Sequence, residues 1–340
     1  MDNIETVNFE LIKKIRAHIN RSEKQVKLLP NRKKWNNLTT SLDTLEDSSW
    51  AVQFYIESEY PTDFRGKYLF VYGLFQALFL QQNSARSISL TLFSKKIEWE
   101  TDYPNAFSVR ELRNDTIGHP TNRSNNKTIR IVQASLSKYS FYYCKDDNKD
   151  SNKDCIVDVN VKQAIDENAK CINDILEKAV EDLNKEFKEY IEKHKDRKMT
   201  EIFNMLRYAK EKALTDVTMR DWGYNATKKM VTQCENELKQ RYGSIETIDS
   251  YKYLLDDIHE LFALIDDVYK ISSESQERLK YFLMELLFVK LEELESYCKE
   301  TDAYFENYGE TVIDESEKFK DATLKIEIPD MYKIDNELME

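Results

Sequence analysis

Apolar residues recur at helical spacing along most of this 340-residue chain. The run from 64 to 82 is apolar almost all round, which predicts a central helix packed against several neighbours. A stripe that begins at Val161 predicts one helix of about ten turns. The remaining helices are predicted at 10–19, 41–56 with Ser41 as a cap, 84–93, 107–117, 201–214, 226–242, 245–269 and 276–308.

The period changes between residues 128 and 159, where β-branched and aromatic residues predict three strands at 128–132, 139–143 and 154–159. We therefore predict an all-α fold, a helical bundle with a small β-hairpin insertion, followed by a second, acidic helical bundle. The predicted domains are 1–197, which includes the insertion at about 128–159, then 198–309, and a charged tail at 310–340. The hairpin aromatics either stack on bases or, as is more usual, pack on the domain beneath.

Composition narrows the class of protein. Only 6 Gly and 5 Pro, with 33% charged residues, favour long helices over turn-rich sheets or disorder. No apolar run reaches the roughly 20 residues that span a bilayer, and the first residues lack a secretory signal, so we expect a cytoplasmic protein with no membrane partner. Five scattered cysteines without a Cys-x-x-Cys pair predict reduced thiols, with no zinc or redox site.

The net charge of −12 is unevenly distributed. Residues 1–140 carry 20 Lys and Arg against 15 Asp and Glu, whereas residues 198–340 have a net charge of −13. The basic part is therefore the part suited to a polyanion such as RNA. The run from Lys24 to Trp35, which includes Lys33 and Lys34, either follows a phosphate backbone or is an ordinary solvated helix end, and charge runs are more often the latter.

One constellation carries chemistry. His119 follows a predicted helix end, in Arg113-Asn114-Asp115-Thr116-Ile117-Gly118-His119-Pro120. Because Gly118 and Pro120 end the helix, and a residue before proline is pushed towards extended geometry, His119 can fold back towards Arg113. An imidazole that titrates near neutrality moves protons, and a guanidinium grips phosphate. This pair suffices for RNA cleavage without a metal. The alternative is that His119 caps the helix while Arg113 forms a surface ion pair.

The run Arg113 to His119 resembles the signature of the HEPN superfamily, in which an Arg is followed by a small polar residue and, four to six positions after the Arg, by a His. The apolar run 68–82 is similar to the central helix of many members, and the resemblance covers about residues 40–195. It implies Arg113 and His119 as the catalytic pair, with Asn114 in the polar position. It also implies no metal and no other cofactor. Further candidates for RNA binding are Arg123, Thr121, Lys33 and Lys34.

The resemblance implies a function and a set of partners as well. HEPN ribonucleases cleave RNA to 2′,3′-cyclic phosphate and 5′-hydroxyl ends, often as toxins or anti-phage defence effectors. They act as dimers with a composite site, so we expect a homodimer that binds RNA. The acidic C-terminal part is expected to bind a regulatory protein partner or to restrain the nuclease. The alternatives are a non-catalytic HEPN protein that binds RNA, a nucleotide or a partner toxin, and a purely structural helical adaptor.

Overall fold

The computed structural model describes residues 4–118, 128–146, 155–246, 248–269 and 274–310, and most of them are helical. The all-α class is confirmed. Within these ranges the helices are α1 (Phe9–Ile19), α2 (Ser22–Leu28), α3 (Arg32–Glu57), α4 (Phe64–Phe93), α5 (Trp99–Asp102), α6 (Pro104–Arg113), α7 (Val161–His194), α8 (Leu206–Thr215), α9 (Arg220–Tyr242), α10 (Asp249–Tyr269) and α11 (Glu274–Glu310). The strands are β1 (Thr128–Ile131), β2 (Ser140–Asp146) and β3 (Cys155–Asn160).

The predicted start of the second helix is wrong. Asn31 caps α3, because its side chain accepts a hydrogen bond from the backbone N–H of Lys34 at 3.0 Å. Ser41 instead lies buried inside α3, where its hydroxyl contacts the carbonyl of Asn37 and the hydroxyl of Ser87. The two helices predicted over 64–93 are also one, since no Gly or Pro separates them.

Contacts between residues group the chain into two compact units, one of residues 1–187 with 231–256 and the other of residues 188–230 with 257–340. The predicted boundaries at 197 and 309 divide the chain into domains that fold independently, which is a different property from contact grouping. These boundaries therefore stay a prediction. A chain that ended near Arg197 would lose residues 231–256, which belong to the same compact unit as the N-terminal part.

The first unit is built around α4. Ile88 of α4 lies in one core cluster with residues of α1, α3 and α7. Phe75 of α4 lies in a second core cluster with residues of the sheet and of the start of α7. Both side chains are fully buried. Helix α3 runs antiparallel to α4, as paired hydroxyl and amide contacts at Ser41–Ser87 and Ser49–Gln81 indicate. The predicted central helix is therefore confirmed.

The insertion is a three-stranded antiparallel sheet in the order β1-β2-β3, which confirms the three predicted strands with bounds shifted by a few residues. Aromatic side chains on β2 alternate between its faces, as the two-residue period of a strand requires. Phe141 and Tyr143 are buried, and the ring of Phe141 meets Phe75 edge-on at 6.0 Å. Tyr139 and Tyr142 are exposed. Of the four aromatic residues predicted either to stack on bases or to pack on the domain, Phe141 and Tyr143 therefore pack on it.

The second unit is helical in its described part. Asp302 on α11 accepts hydrogen bonds from the backbone N–H groups of Met199 and Thr200 at 2.8 and 2.9 Å, which holds the short 3-10 turn at Met199–Phe203. Gly223 lets α9 approach α8, because a Cβ at that position would lie 2.6 Å from the carbonyl oxygen of Ala209. Most of the predicted charged tail lies outside the described residues.

Among the residues that the structure describes, none of the helices combines the length and the apolarity that a bilayer crossing needs.

His18 makes the stability of the first unit depend on pH. Its ring nitrogen Nε2 lies 2.8 Å from the Asn184 amide oxygen, and burial, with a smaller contribution from the cation Arg21, lowers the pKa of His18 to about 3. The unfolded chain has an ordinary His pKa near 6.5 and therefore binds the proton first. We expect the free energy of unfolding to fall as pH drops from about 6.5 towards 3, by up to about 1.4 kcal/mol per pH unit from this residue.

The matched variant is His18→Gln, which keeps a side-chain N–H donor for Asn184 and cannot titrate. Urea unfolding of the parent and the variant at several pH values between 7 and 5 should give a flatter dependence for His18→Gln. Equal slopes for the two proteins would contradict the assignment.

Candidate active site around Arg113

The chain changes its helical form at the predicted motif. Pro104 occupies the first turn of α6, where its missing N–H costs nothing, and α6 ends at Arg113. The next five residues, Asn114–Gly118, form a π-helical turn. Thr116 steadies this turn by donating its hydroxyl to the carbonyl of Leu112 at 2.7 Å. The predicted helix over 107–117 thus begins at 104, and its last turn is wider than an α-turn. Such turns often occur at functional sites.

The guanidinium of Arg113 is held by three neutral neighbours. Its Nη2 donates to the Gln76 amide oxygen on α4 at 2.8 Å, and its Nη1 donates to the Asn114 amide oxygen at 3.2 Å. Its central carbon lies 4.3 Å from the centre of the Phe79 ring. No carboxylate within the described ranges forms an ion pair with Arg113, so the predicted alternative of a surface ion pair is not what these residues show.

Asn114 is itself oriented. Its Nδ2 donates to the carboxylate of Glu111 at 3.3 Å, which turns the amide oxygen towards Arg113. The residue after the motif Arg therefore acts as a positioning residue for the guanidinium. The next residue, Asp115, lies 3.9 Å from the Lys145 ammonium of β2, so the π-helical turn is also linked to the sheet.

Gly118 lies directly against Arg113. A Cβ added at Gly118 would be 2.6 Å from Nη1 of Arg113 and 3.4 Å from its central carbon. Gly118 is five positions after Arg113, which is the spacing that a π-helical turn brings together. Glycine is thus the one residue at this position that leaves the observed guanidinium undisturbed.

Gly118→Ala should move the guanidinium without unfolding the chain, because the clash is with the end of a side chain and the core is untouched. A misplacement of about 1 Å at a reacting group costs roughly 100-fold in rate, so the RNA cleavage predicted from the sequence should slow by about 10- to 100-fold while the melting temperature stays nearly unchanged. The matched control is Gly73→Ala on α4, where a Cβ meets nothing within 4 Å. It should keep full activity and gain up to about 1 kcal/mol of stability. Equal rates for both variants would refute the proposed role of Arg113.

Of the other predicted residues, the structure describes only Lys33 and Lys34. His119, Thr121 and Arg123 lie outside the described residues. Lys33 and Lys34 lie in the first turn of α3. Along the α3–α4 pair, the Ser41–Ser87 contact lies between these lysines and Gln76. At 1.5 Å per residue along the antiparallel pair, Lys34 and Gln76 are roughly 25 Å apart. The two lysines therefore belong to a different part of the surface.

Nothing matches this chain in comparisons with protein-family models, with curated proteins and with solved structures.

A buried chain of amides, which sequence reasoning missed, lies behind the site. Gln82 donates to the carbonyl of Ala106 and to the amide oxygen of Asn168, both at 2.8 Å, and Asn168 donates to the amide oxygen of Gln81 at 2.7 Å. Gln81 continues to the hydroxyl of Ser49 at 3.1 Å. These contacts join α3, α4, α6 and α7. Since all four polar side chains are buried, each hydrogen bond fixes how the helices that carry the site pack.

The amide chain reaches the site through Arg110. The Gln82 amide oxygen lies 3.5 Å from Nη1 of Arg110, and the guanidinium carbon of Arg110 lies 4.2 Å from the centre of the same Phe79 ring that Arg113 contacts. Among the described residues, no group of three or more His, Cys, Asp or Glu side chains could hold a metal ion.

Proposed function

We propose that this protein is a metal-independent endoribonuclease of the HEPN type, with Arg113 and His119 as its catalytic pair. The observation that supports this most is the set of neighbours of Arg113. Its guanidinium is half-buried and is held by two amide oxygens and one aromatic ring. These neighbours fix its direction, and within the described ranges no carboxylate forms an ion pair with it, which suits a residue that binds a phosphate group.

The position of Gly118 supports the pairing of Arg113 with His119. A Cβ at Gly118 would lie 2.6 Å from Nη1 of Arg113, and His119 is the next residue in the sequence. We propose that its imidazole acts on the phosphate that Arg113 binds. The proposal needs no other histidine.

The proposed reaction is an internal transfer at phosphorus. The 2′-hydroxyl oxygen attacks the adjacent phosphorus, its proton passes to an imidazole, and the bond from phosphorus to the 5′-oxygen breaks as that oxygen takes a proton. Arg113 stabilises the negative charge that builds up on the non-bridging oxygens. The products are a 2′,3′-cyclic phosphate and a 5′-hydroxyl. Asn114 and Gln76 keep the guanidinium in place throughout.

One His must serve as base and another group as acid, so we propose that two copies of the chain supply the two imidazoles across a two-fold axis. A mixture of Arg113→Ala and His119→Ala proteins should then stay inactive if each site needs both copies of both residues. Sedimentation of the active protein is expected to give a dimer. A monomer that cleaves RNA at the parental rate would contradict the composite site.

The decisive test is incubation of purified protein with RNA in excess EDTA, followed by analysis of the new ends. We expect fragments with 2′,3′-cyclic phosphate and 5′-hydroxyl ends, and no cleavage of the same oligonucleotide carrying 2′-O-methyl groups, because the attacking hydroxyl is then blocked. Cleavage of the methylated strand, or activity that EDTA removes, would refute the mechanism.

The second candidate is RNA binding without cleavage, and one observation favours it independently. The contacts of Arg110 and Arg113 with Phe79 place two guanidinium groups close together, which suits a phosphate backbone whether or not it is cut. Stable binding of RNA without new fragments, under the same conditions, would identify this function in place of the first.

A further inference from the structure

We propose that Arg110 and Arg86 form a second phosphate-binding position beside Arg113, which holds the RNA backbone next to the phosphodiester that is cleaved. This inference rests on the proposed function, since it names how the same site holds its substrate. It adds two residues that the motif does not contain.

Arg110 and Arg113 meet at Phe79, and Arg86 lies on the face of α4 that carries Phe79. Arg110 precedes Arg113 by one helical turn on α6, and both guanidinium carbons lie within 4.3 Å of the centre of the Phe79 ring. Arg86 lies on α4 seven positions after Phe79, which is two helical turns along the same face. Gln82 lies between them on that face, and its amide oxygen is 3.5 Å from Arg110.

In the described part of the chain, Arg86, Arg110 and Arg113 form no salt bridge, and the nearest electrostatic counterweight to Arg110 is Glu111. Other half-buried or buried arginines do have partners: Arg16 pairs with two carboxylates, and Arg241 pairs with Glu237 at 3.1 Å. In a chain with 62 acidic and 50 basic residues, a carboxylate for such a cluster would be easy to supply.

The electrostatics of Arg110 agree with this. Burial lowers the pKa of Arg110, and the neighbouring cations Arg86 and Arg113 lower it further, while Glu111 acts in the opposite direction. Like charges held together in a half-buried place repel one another, and a bound anion removes that repulsion. A phosphodiester supplies one negative charge per nucleotide, and a planar guanidinium can hold two of its oxygens at once.

The experiment measures binding of a 2′-O-methyl oligoribonucleotide, which cannot be cleaved by its own 2′-hydroxyl, over a range of salt concentrations. We expect Arg110→Gln and Arg86→Gln each to weaken binding about tenfold at low salt. Each should also make the slope of log affinity against log salt shallower by about 0.7, the value for one phosphate contact on a single strand. The matched control is Arg65→Gln on the same helix, which is 99% exposed and lies 3.6 Å from Asp63.

Two results would overturn the inference. If Arg110→Gln slows cleavage but leaves the salt slope unchanged, Arg110 acts only by holding Phe79 and, through it, Arg113. If Arg65→Gln changes the slope as much as Arg86→Gln does, the effect is general charge and no site is present. Arg110→Lys should keep most of the slope, because it keeps the cation. Should Arg110→Gln unfold, as judged by circular dichroism, Arg86→Gln alone decides the question.

The failure of this inference and the failure of the proposed function give different results. If the protein never cleaves RNA but the salt slope of binding becomes shallower in Arg110→Gln and Arg86→Gln, the proposed function fails. The second phosphate-binding position then still stands. A protein that cleaves as proposed, with unchanged salt slopes in both variants, has the catalytic pair without this position.

Discussion

Arg113→Ala and His119→Ala should each abolish metal-independent RNA cleavage, with a loss of at least about 100-fold. A positioned proton carrier contributes roughly 100- to 10,000-fold, and one group that stabilises charge on a transition-state oxygen contributes roughly 100- to 1,000-fold. Arg113→Lys should lose nearly as much, because one ammonium cannot reach both the Gln76 and Asn114 oxygens and also hold a phosphate. The measurement is the initial rate of cleavage in EDTA, alongside growth of cells that express each variant.

The controls are the same substitutions at exposed positions, Arg65→Ala and His259→Ala, which should keep the parental rate. Arg113→Ala removes contacts with Phe79 and Gln76, so we expect a cost of only about 1 kcal/mol in stability, too small to unfold the protein. Parental activity in either Arg113→Ala or His119→Ala would show that the assigned pair is wrong, since folded protein would still be present.

Helical periodicity predicted the positions of most elements because it indicates which side chains are buried on folding. It failed where a helix does not form through burial of apolar side chains. Helix α2 and the first turns of α3 are polar, and α3 begins at Arg32 because of the Asn31 cap. The sheet was predicted at nearly its observed residues, since its strands alternate in burial. Ser41 shows the limit of cap signals, because a serine inside a helix can equally donate its hydroxyl to a carbonyl four residues before.

The candidate site was only partly predictable for a related reason. Arg113 and Asn114 stand out in the sequence, yet the other two side chains that hold Arg113, Gln76 and Phe79, come from α4, 37 and 34 residues earlier, and no local spacing joins them to it. A usable signal was present nonetheless. Gln76, Gln81 and Gln82 interrupt an otherwise apolar run, and buried amides need partners. Nothing in the sequence distinguishes Phe79 from an ordinary core residue.

Asn168→Asp should cost the most stability of any change considered for this site. Asn168 is fully buried on α7, where it donates to Gln81 and accepts from Gln82. A carboxylate there would lose the donor to Gln81 and place an unpaired charge in the core, so we expect the free energy of unfolding at pH 7 to fall by about 3 to 5 kcal/mol. The same change should loosen the Gln82 contact with Arg110 and slow any cleavage.

The pH dependence of that loss separates the charge from the change in shape. Burial raises the pKa of a carboxyl group at this position above its unfolded value near 4, so the deficit relative to the parent should be small below pH 4 and should grow as the pH rises. A protonated carboxyl can still donate to Gln81, which is why acid restores stability. The matched control is Gln163→Glu, the same kind of substitution at an exposed position of α7, where Gln163 donates to Glu167. It should cost no more than about 0.5 kcal/mol. The comparison is made by urea unfolding of both variants from pH 4 to 8. If the loss of unfolding free energy in Asn168→Asp does not change with pH, a charge at position 168 has no cost. The buried amide chain would then not be the rigid support of Arg110.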